Sequence, residues 1–315
     1  MNLSRRDILA GSAALPLLAT ALQAAAQTPT KSKLVMLGTG GGPNVGAPRH
    51  QTSHVIVCGE DAYVVDCGYG VTEQMVKAGV PSQNIRDIFI THHHPDHDIE
   101  MGTLIYFAWY NGLAKPLGLY GGPPLRQITD NYLAAQKPDV DIWVKDVNHT
   151  PMPPIQVHEI TAGGPVMTDK NVRVTAALVD HPPVVPAFAY RFDMADRSIV
   201  FSGDTSPLAA VAQLAKGADI LVHEAMYTPG LKALVGARQA SGPGAAVDAA
   251  KLMEHLVKSH SPVEEVGRIA QEAGVKTLVL SHLVPSSGVA DDIWIQGAAK
   301  TFKGEIIVAR DLMVL

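Results

Sequence analysis

His92-His93-His94-Pro95-Asp96-His97-Asp98 places four imidazoles and two carboxylates in seven consecutive residues. Imidazole nitrogen and carboxylate oxygen are donors that zinc accepts, and a catalytic zinc keeps one position open for water. In a segment leaving a strand, His92 and His94 point to one side. Pro95 then turns the chain and carries Asp96 and His97 to a neighbouring position, so the run can begin two metal sites. Such a density of ligands at a strand end serves no packing purpose.

The element that must position this run is the β-branched stretch 85–90 directly before it, which reads as a strand. Similar runs at 33–37, 198–202, 220–223 and 277–281 read as further strands, and 55–58 with 63–66 as a hairpin turning at Gly59-Glu60-Asp61. Helical apolar spacing covers 245–258 and 263–273. The second of these is opened by Ser261-Pro262 as cap and first-turn proline, and is closed by Gly274. Strands alternating with helices imply a layered α/β fold. The Gly/Pro-rich stretches 116–124 and 151–154 read as long connections inside one domain. Gly38-Thr39-Gly40-Gly41-Gly42-Pro43 lacks the Lys-Ser/Thr of a phosphate loop, so its expected role is to let backbone approach the site closely.

With 47% hydrophobic and 17% charged residues the chain is globular, and Lys+Arg 25 against Asp+Glu 30 leaves no cationic surplus for a polyanion. A dedicated nucleic-acid binder is therefore not expected; a short anionic substrate is compatible. Residues 1–26 carry Arg5-Arg6, an apolar run broken at Pro16 and a small-residue end, Ala24-Ala25-Ala26. This resembles a twin-arginine export signal, which implies a periplasmic location, no membrane attachment after cleavage, and a mature domain over 27–315. Cys58 and Cys67 fall at opposite ends of the hairpin, roughly 15 Å apart at ~3.3 Å per residue. A disulfide needs Cα atoms within about 7 Å, so two free, mostly buried thiols are expected.

His92-x-His94-x-Asp96-His97 resembles the signature of the metallo-β-lactamase superfamily, and the likeness continues in order through residues 33 to 315. Leu37-Gly38-Thr39-Gly40, Val65-Asp66-Cys67-Gly68, Phe201-Ser202-Gly203-Asp204-Thr205, His223-Glu224-Ala225, His260-Ser261 and Ser281-His282 resemble ribonuclease Z and its arylsulfatase-like relatives. The resemblance implies an αββα four-layer sandwich with a dinuclear zinc centre, manganese or iron being alternatives. His92, His94 and His181 would hold one metal, Asp96, His97 and His282 the other, and Asp204 would bridge them. Two such ions share a hydroxide near neutral pH and stabilise the transition state's negative charge. Asp96 would also orient that water or take its proton, Glu224 and His260 would form an acid pair at the leaving group, and Asp66 would stand behind the ligands. His223 is expected to be structural and His93 to point away from the metals.

Two departures narrow the function. The basic arm that grips transfer RNA in the resembled family has only Lys232 and Arg238 over 228–246, and Ser261-Pro262 stands where that family has Ser-Thr. The favoured reading is a metal-dependent hydrolase of small anionic esters, sulfate first. A phosphodiesterase of ribonuclease Z type follows, then a lactonase or β-lactamase, then a periplasmic zinc-binding protein without turnover. The expected partner is a small-molecule ester, no nucleic acid is expected, and a homodimer would be ordinary for the family. Specificity is expected in loops 106–124 and 182–186. The aromatic group Tyr106, Phe107, Trp109 and Tyr110 reads first as core packing, and His50, His54, His149, His158 and His255 have no assigned role.

Overall fold

Side chains alternate across a strand, and in this chain both sides of the alternation are apolar. Along β1 (Lys33–Gly38), Leu34 and Met36 turn to one core and Val35 and Leu37 to another. Coverage on both faces is what makes a strand read as a continuous apolar run. The computed structural model describes residues 31–240 and 248–315, with side chains up to 236 in the first stretch. The leader expected over 1–26 lies outside the described residues, as do residues 245–247 of the helix expected over 245–258.

The first sheet continues with β2 (Ser53–Cys58), β3 (Asp61–Val65), β4 (Ile85–Phe89), β5 (Leu117–Gly121) and β6 (Ile155–Glu159). The second holds β7 (Gly164–Thr168), β8 (Val172–His181), β9 (Val184–Met194), β10 (Ser198–Phe201), β11 (Ile220–Met226), β12 (Thr277–Val284) and β13 (Glu305–Val308). A last strand, β14 (Met313–Val314), returns to β1, so the spatial orders are β14-β1-β2-β3-β4-β5-β6 and β13-β12-β11-β10-β9-β8-β7. Phe89 lies at the centre of the core between the sheets, edge-on to Phe192 at 5.0 Å and stacked on Tyr120 at 4.9 Å.

Helices α1 (Val71–Lys77), α2 (Pro95–Asp98), α3 (Met101–Tyr110) and α4 (Leu125–Asp146) follow strands of the first sheet. Its outer face packs on Val71, Leu104, Ile105 and Leu125. Of α5 (Ala209–Leu214), α6 (Thr228–Ala240), α7 (Ala249–Ser259), α8 (Val263–Ala273) and α9 (Asp291–Ala299), the helices α5, α8 and α9 cover the second sheet through Val211, Val266, Ile269 and Trp294. The result is the four-layer αββα sandwich. Among the described residues no helix is long and apolar enough to cross a membrane.

Three expectations are corrected. The stretch 116–124 is not only connection, because Leu117–Gly121 pairs between β4 and β6. Ser261 does not cap α8: Pro262 occupies the cap position, and the Ser261 hydroxyl donates instead to Thr205 O at 2.8 Å. The aromatic group on α3 divides, with Trp109 buried but Phe107 41% and Tyr110 39% exposed. Cys58 and Cys67 are free, and Cys67 is buried.

Candidate metal centre

The strands β3, β4, β8, β10, β11 and β12 each end at the site, so the sandwich brings together residues far apart in sequence. Two irregularities aim candidate donors into the site. In β12 the pairing steps from Glu224↔Ser281 to Ala225↔Leu283, leaving His282 as an extra residue with φ 41°. A bulge of this kind re-aims a side chain, and a left-handed backbone at a non-glycine residue persists only where its surroundings hold it. In β8 a second shift, between Val179 and His181, precedes the other imidazole delivered by the second sheet.

The imidazoles form two groups. His94 Nδ1 lies 3.0 Å from His92 Nε2 and 3.2 Å from His181 Nε2, so three ring nitrogens converge on one point. His181 Nδ1 donates to Ser259 O at 2.9 Å, which leaves Nε2 with its lone pair inward. In the second group, His282 Nε2 lies 3.3 Å and His97 Nε2 3.6 Å from Asp96 Oδ2. Asp204 Oδ2 stands between the groups, 3.1 Å from His282, 3.3 Å from His97, 3.8 Å from His92 and 3.9 Å from His181. All seven residues predicted from sequence are thus brought together.

Their electrostatics suit a cation. Burial, then the neighbouring His97, drives His92 well below its usual value; burial, then His181, takes His94 down to about 4. Both are therefore neutral at pH 7, the form a metal needs. Burial opposes ionisation of Asp96 and Asp204, yet His97 and His282 outweigh it and hold both carboxyls well below the usual range. His282, against burial, is raised to about 10 by Asp204 and Asp96, so with no cation beside it this ring carries a proton that a bound metal would displace. His97 Nε2 and Asp204 Oδ1 are buried with no hydrogen-bond partner among the described residues. Nitrogen donors and ionised carboxylates converging within 4.8 Å of one another fit divalent cations.

A surrounding layer fixes the donors. Asp66, at φ 61°, accepts from Thr91 N at 2.8 Å, Thr91 Oγ1 at 3.0 Å and His97 Nδ1 at 2.9 Å. Gly42 N donates to Asp96 Oδ2 at 2.8 Å. A Cβ on Gly41 would lie 2.7 Å from the His282 ring, which is the close backbone approach the glycine loop was expected to allow. Glu224 Oε1 accepts from Thr205 N at 3.1 Å and Ser261 N at 3.0 Å and lies 3.3 Å from His260 Nδ1. Burial disfavours the charged His260, but Glu224 and Asp204 outweigh it and raise its pKa. His223 is buried and donates to Glu224 O at 2.7 Å, a structural role. His93 turns aside to Asp98 Oδ2 and Gly122 O, each at 2.8 Å.

Above the donors opens a cavity of about 550 Å³ reached by His94, Asp96, Asp204, His260 and His282. Residues 106–124 and 182–186, expected to set specificity, are not among its lining; the walls are the glycine loop, α6, α7 and residues 284–287. Of the unassigned histidines, His255 lines this cavity. His54 is buried at 3.2 Å from Ser281 Oγ, and His50 pairs with Asp311 at 2.8 Å. His149 stacks on Tyr110 and His158 on Tyr120, both away from the site. Neither His54 nor His255 falls in a local motif, so only the tertiary fold reveals them.

Residues 62–283 match the family described as Beta-lactamase superfamily domain. The chain is 32% identical over 285 residues to the ribonuclease Z of Mycobacterium bovis (strain BCG / Pasteur 1173P2), covering 89% of this chain and 96% of that protein. It is 33% identical over 287 residues to the ribonuclease Z of Mycobacterium sp. (strain KMS), covering 89% and 94%. Among solved structures it is similar in fold to human tRNase Z, short form, with a TM-score of 0.65, 21% identity, and coverage of 90% of this chain and 98% of that one.

Proposed function

The chain belongs to the metallo-β-lactamase superfamily, as a ribonuclease Z-like metal-dependent hydrolase of ester bonds, and from that premise we propose that the bond it cleaves is a phosphodiester. This reverses the order read from the sequence, which put a sulfate ester first. Relatives matched over 89% of the chain carry ribonuclease names. The observation that carries the reading is the Glu224–His260 pair at 3.3 Å, whose His260 lines the same cavity as His94, Asp96, Asp204 and His282. A phosphodiester with an alkoxide leaving group needs such an acid.

His92, His94 and His181 would hold one cation, Asp96, His97 and His282 a second, and Asp204 would serve both. Zinc suits this donor set, and manganese or iron would also bind. When bound, the two ions supply a water activated at neutral pH and offset negative charge on the tetrahedral centre. Asp96, held by Gly42 N–H, orients the attacking water and accepts its proton. Glu224, fixed by two backbone N–H groups, stands 3.3 Å from Nδ1 of His260 and favours its charged form, so Nε2 protonates the departing oxygen. Asp66 and Thr91 hold His97 in the tautomer that presents Nε2.

The test compares kcat/KM for bis(p-nitrophenyl) phosphate and p-nitrophenyl sulfate on protein of known metal content. We expect phosphate to be preferred at least about a hundredfold, roughly 2.7 kcal/mol in the transition state. The opposite preference, or turnover of neither, overturns the reading. We also propose that residues 1–26 direct export to the periplasm. Cell fractionation with N-terminal sequencing is expected to find a periplasmic chain starting near Gln27, and a cytoplasmic chain retaining Arg5 and Arg6 would refute it.

A further inference from the structure

Among the described residues, the lining of the cavity above the donors holds no lysine or arginine. A polynucleotide is gripped mainly by cations set along its phosphates, and the described lining offers none.

One wall is apolar and is built from two helices. Leu231, Leu234 and Val235 of α6 and Leu252 and Leu256 of α7 line the same cavity as the metal donors. Leu231 and Val235 form a buried cluster with Met226 and Val284, against which Leu252 and Leu256 pack, so the wall is anchored to the fold. Leu234 nevertheless stays 38% exposed, and Val45 of the glycine loop, which also lines the cavity, is 71% exposed. Apolar side chains thus border an open space that begins at Asp96 and Asp204. His255 contributes a polar ring to the same lining.

Resting on the phosphodiester reading for the reacting bond, we propose that the α6–α7 wall receives an alkyl or aryl group of the substrate, which is a small amphiphilic phosphoester. The anionic end meets the histidine and aspartate cluster, and the apolar end replaces water along Leu234, Leu252 and Val45. Loss of water from apolar surface drives the second contact and scales with the area covered.

The experiment is calorimetric binding of hexylphosphonate and methylphosphonate to the metal-loaded full chain, which reads the wall whether or not either ester class is turned over. Hexylphosphonate is expected to bind on the order of thirtyfold tighter or more, given the gain per buried methylene. In Leu234→Ser/Leu252→Ser the ratio is expected to fall below about threefold with methylphosphonate little changed, and in Leu234→Met/Leu252→Met to persist, as an apolar contact requires. Equal binding of the two phosphonates by the wild-type chain overturns the proposal without touching the reacting bond. So does a preference that survives the serine substitutions, or an oligoribonucleotide that binds more tightly than hexylphosphonate with a steep salt dependence. Sulfate-ester turnover with a retained hexyl preference would leave the wall standing and sink only the phosphodiester reading.

Discussion

Asp66 takes three hydrogen bonds, from Thr91 N, Thr91 Oγ1 and His97 Nδ1. Carboxylates behind a ligating histidine set its tautomer, and their loss typically costs about 10–100-fold in metal affinity. Asp66→Ala is therefore expected to weaken zinc binding by that factor in chelator competition while the chain stays folded. Removal of His260 acts differently. His260→Ala should leave metal content intact and lower kcat by roughly 10²–10⁴-fold for an alkyl leaving group, but far less for p-nitrophenolate, which needs no proton. A residue that only shaped the pocket would slow both esters alike. Far from the site, burial raises Asp87 to about 6, with Arg86 pulling the other way, and its Oδ2 has no hydrogen-bond partner among the described residues. The folded state then binds more protons than the unfolded one between 3.8 and about 6, so this group's contribution to stability falls as pH rises through that window. Urea unfolding should find Asp87→Asn gaining about 1–3 kcal/mol on the wild type between pH 4 and pH 7.5. A constant difference between the two proteins would contradict this. The run 92–98 is legible because its donors are neighbours in sequence. His54 and His255 are not legible, since their places depend on β12 and α6 arriving from elsewhere.

At the scale of elements, β12 shows how a strand can be both core and site. Its apolar residues Leu278 and Leu280 face the helices, whereas the bulge at His282 turns one ring inward against Asp204. The glycine loop makes room for that ring. Gly41→Ala would drive a Cβ to 2.7 Å from it, so the variant should lose at least about tenfold in kcat/KM together with bound metal, as misplacement by about 1 Å costs up to a hundredfold. Unchanged metal content and rate would show that the loop yields. The strands from 33–37 to 277–281 are readable because burial on both faces gives unbroken apolar runs. The 22-residue α4 is harder to read, with only Leu125 and Thr129 buried and Pro138 in its interior. Ser261-Pro262 has the composition of a helix start, but Ser261 is drawn instead to Thr205 and Glu224, a tertiary demand that overrides the local one.

Across the whole molecule, the seven candidate metal donors come from both sheets: His92, His94, Asp96 and His97 follow the first, and His181, Asp204 and His282 belong to the second. Cations there would tie the two halves together at one edge of the sandwich. A ligand at about a thousand times its Kd stabilises by roughly 4 kcal/mol, and each kcal/mol moves the midpoint by about 2–4 °C in a domain of this size class. Chelation is therefore expected to lower Tm by roughly 10 °C. The likeness to the ribonuclease Z proteins follows from motifs spread over most of the chain, whereas the apolar wall proposed to choose the substrate carries no motif. The most direct measurement returns zinc stepwise to chelated protein while following bis(p-nitrophenyl) phosphate hydrolysis and bound metal in one sample. Turnover that rises to saturation at two equivalents per chain, and stays low in Asp204→Asn at the same added zinc, is what this account predicts. Turnover independent of zinc, or absent with two equivalents bound, would contradict it.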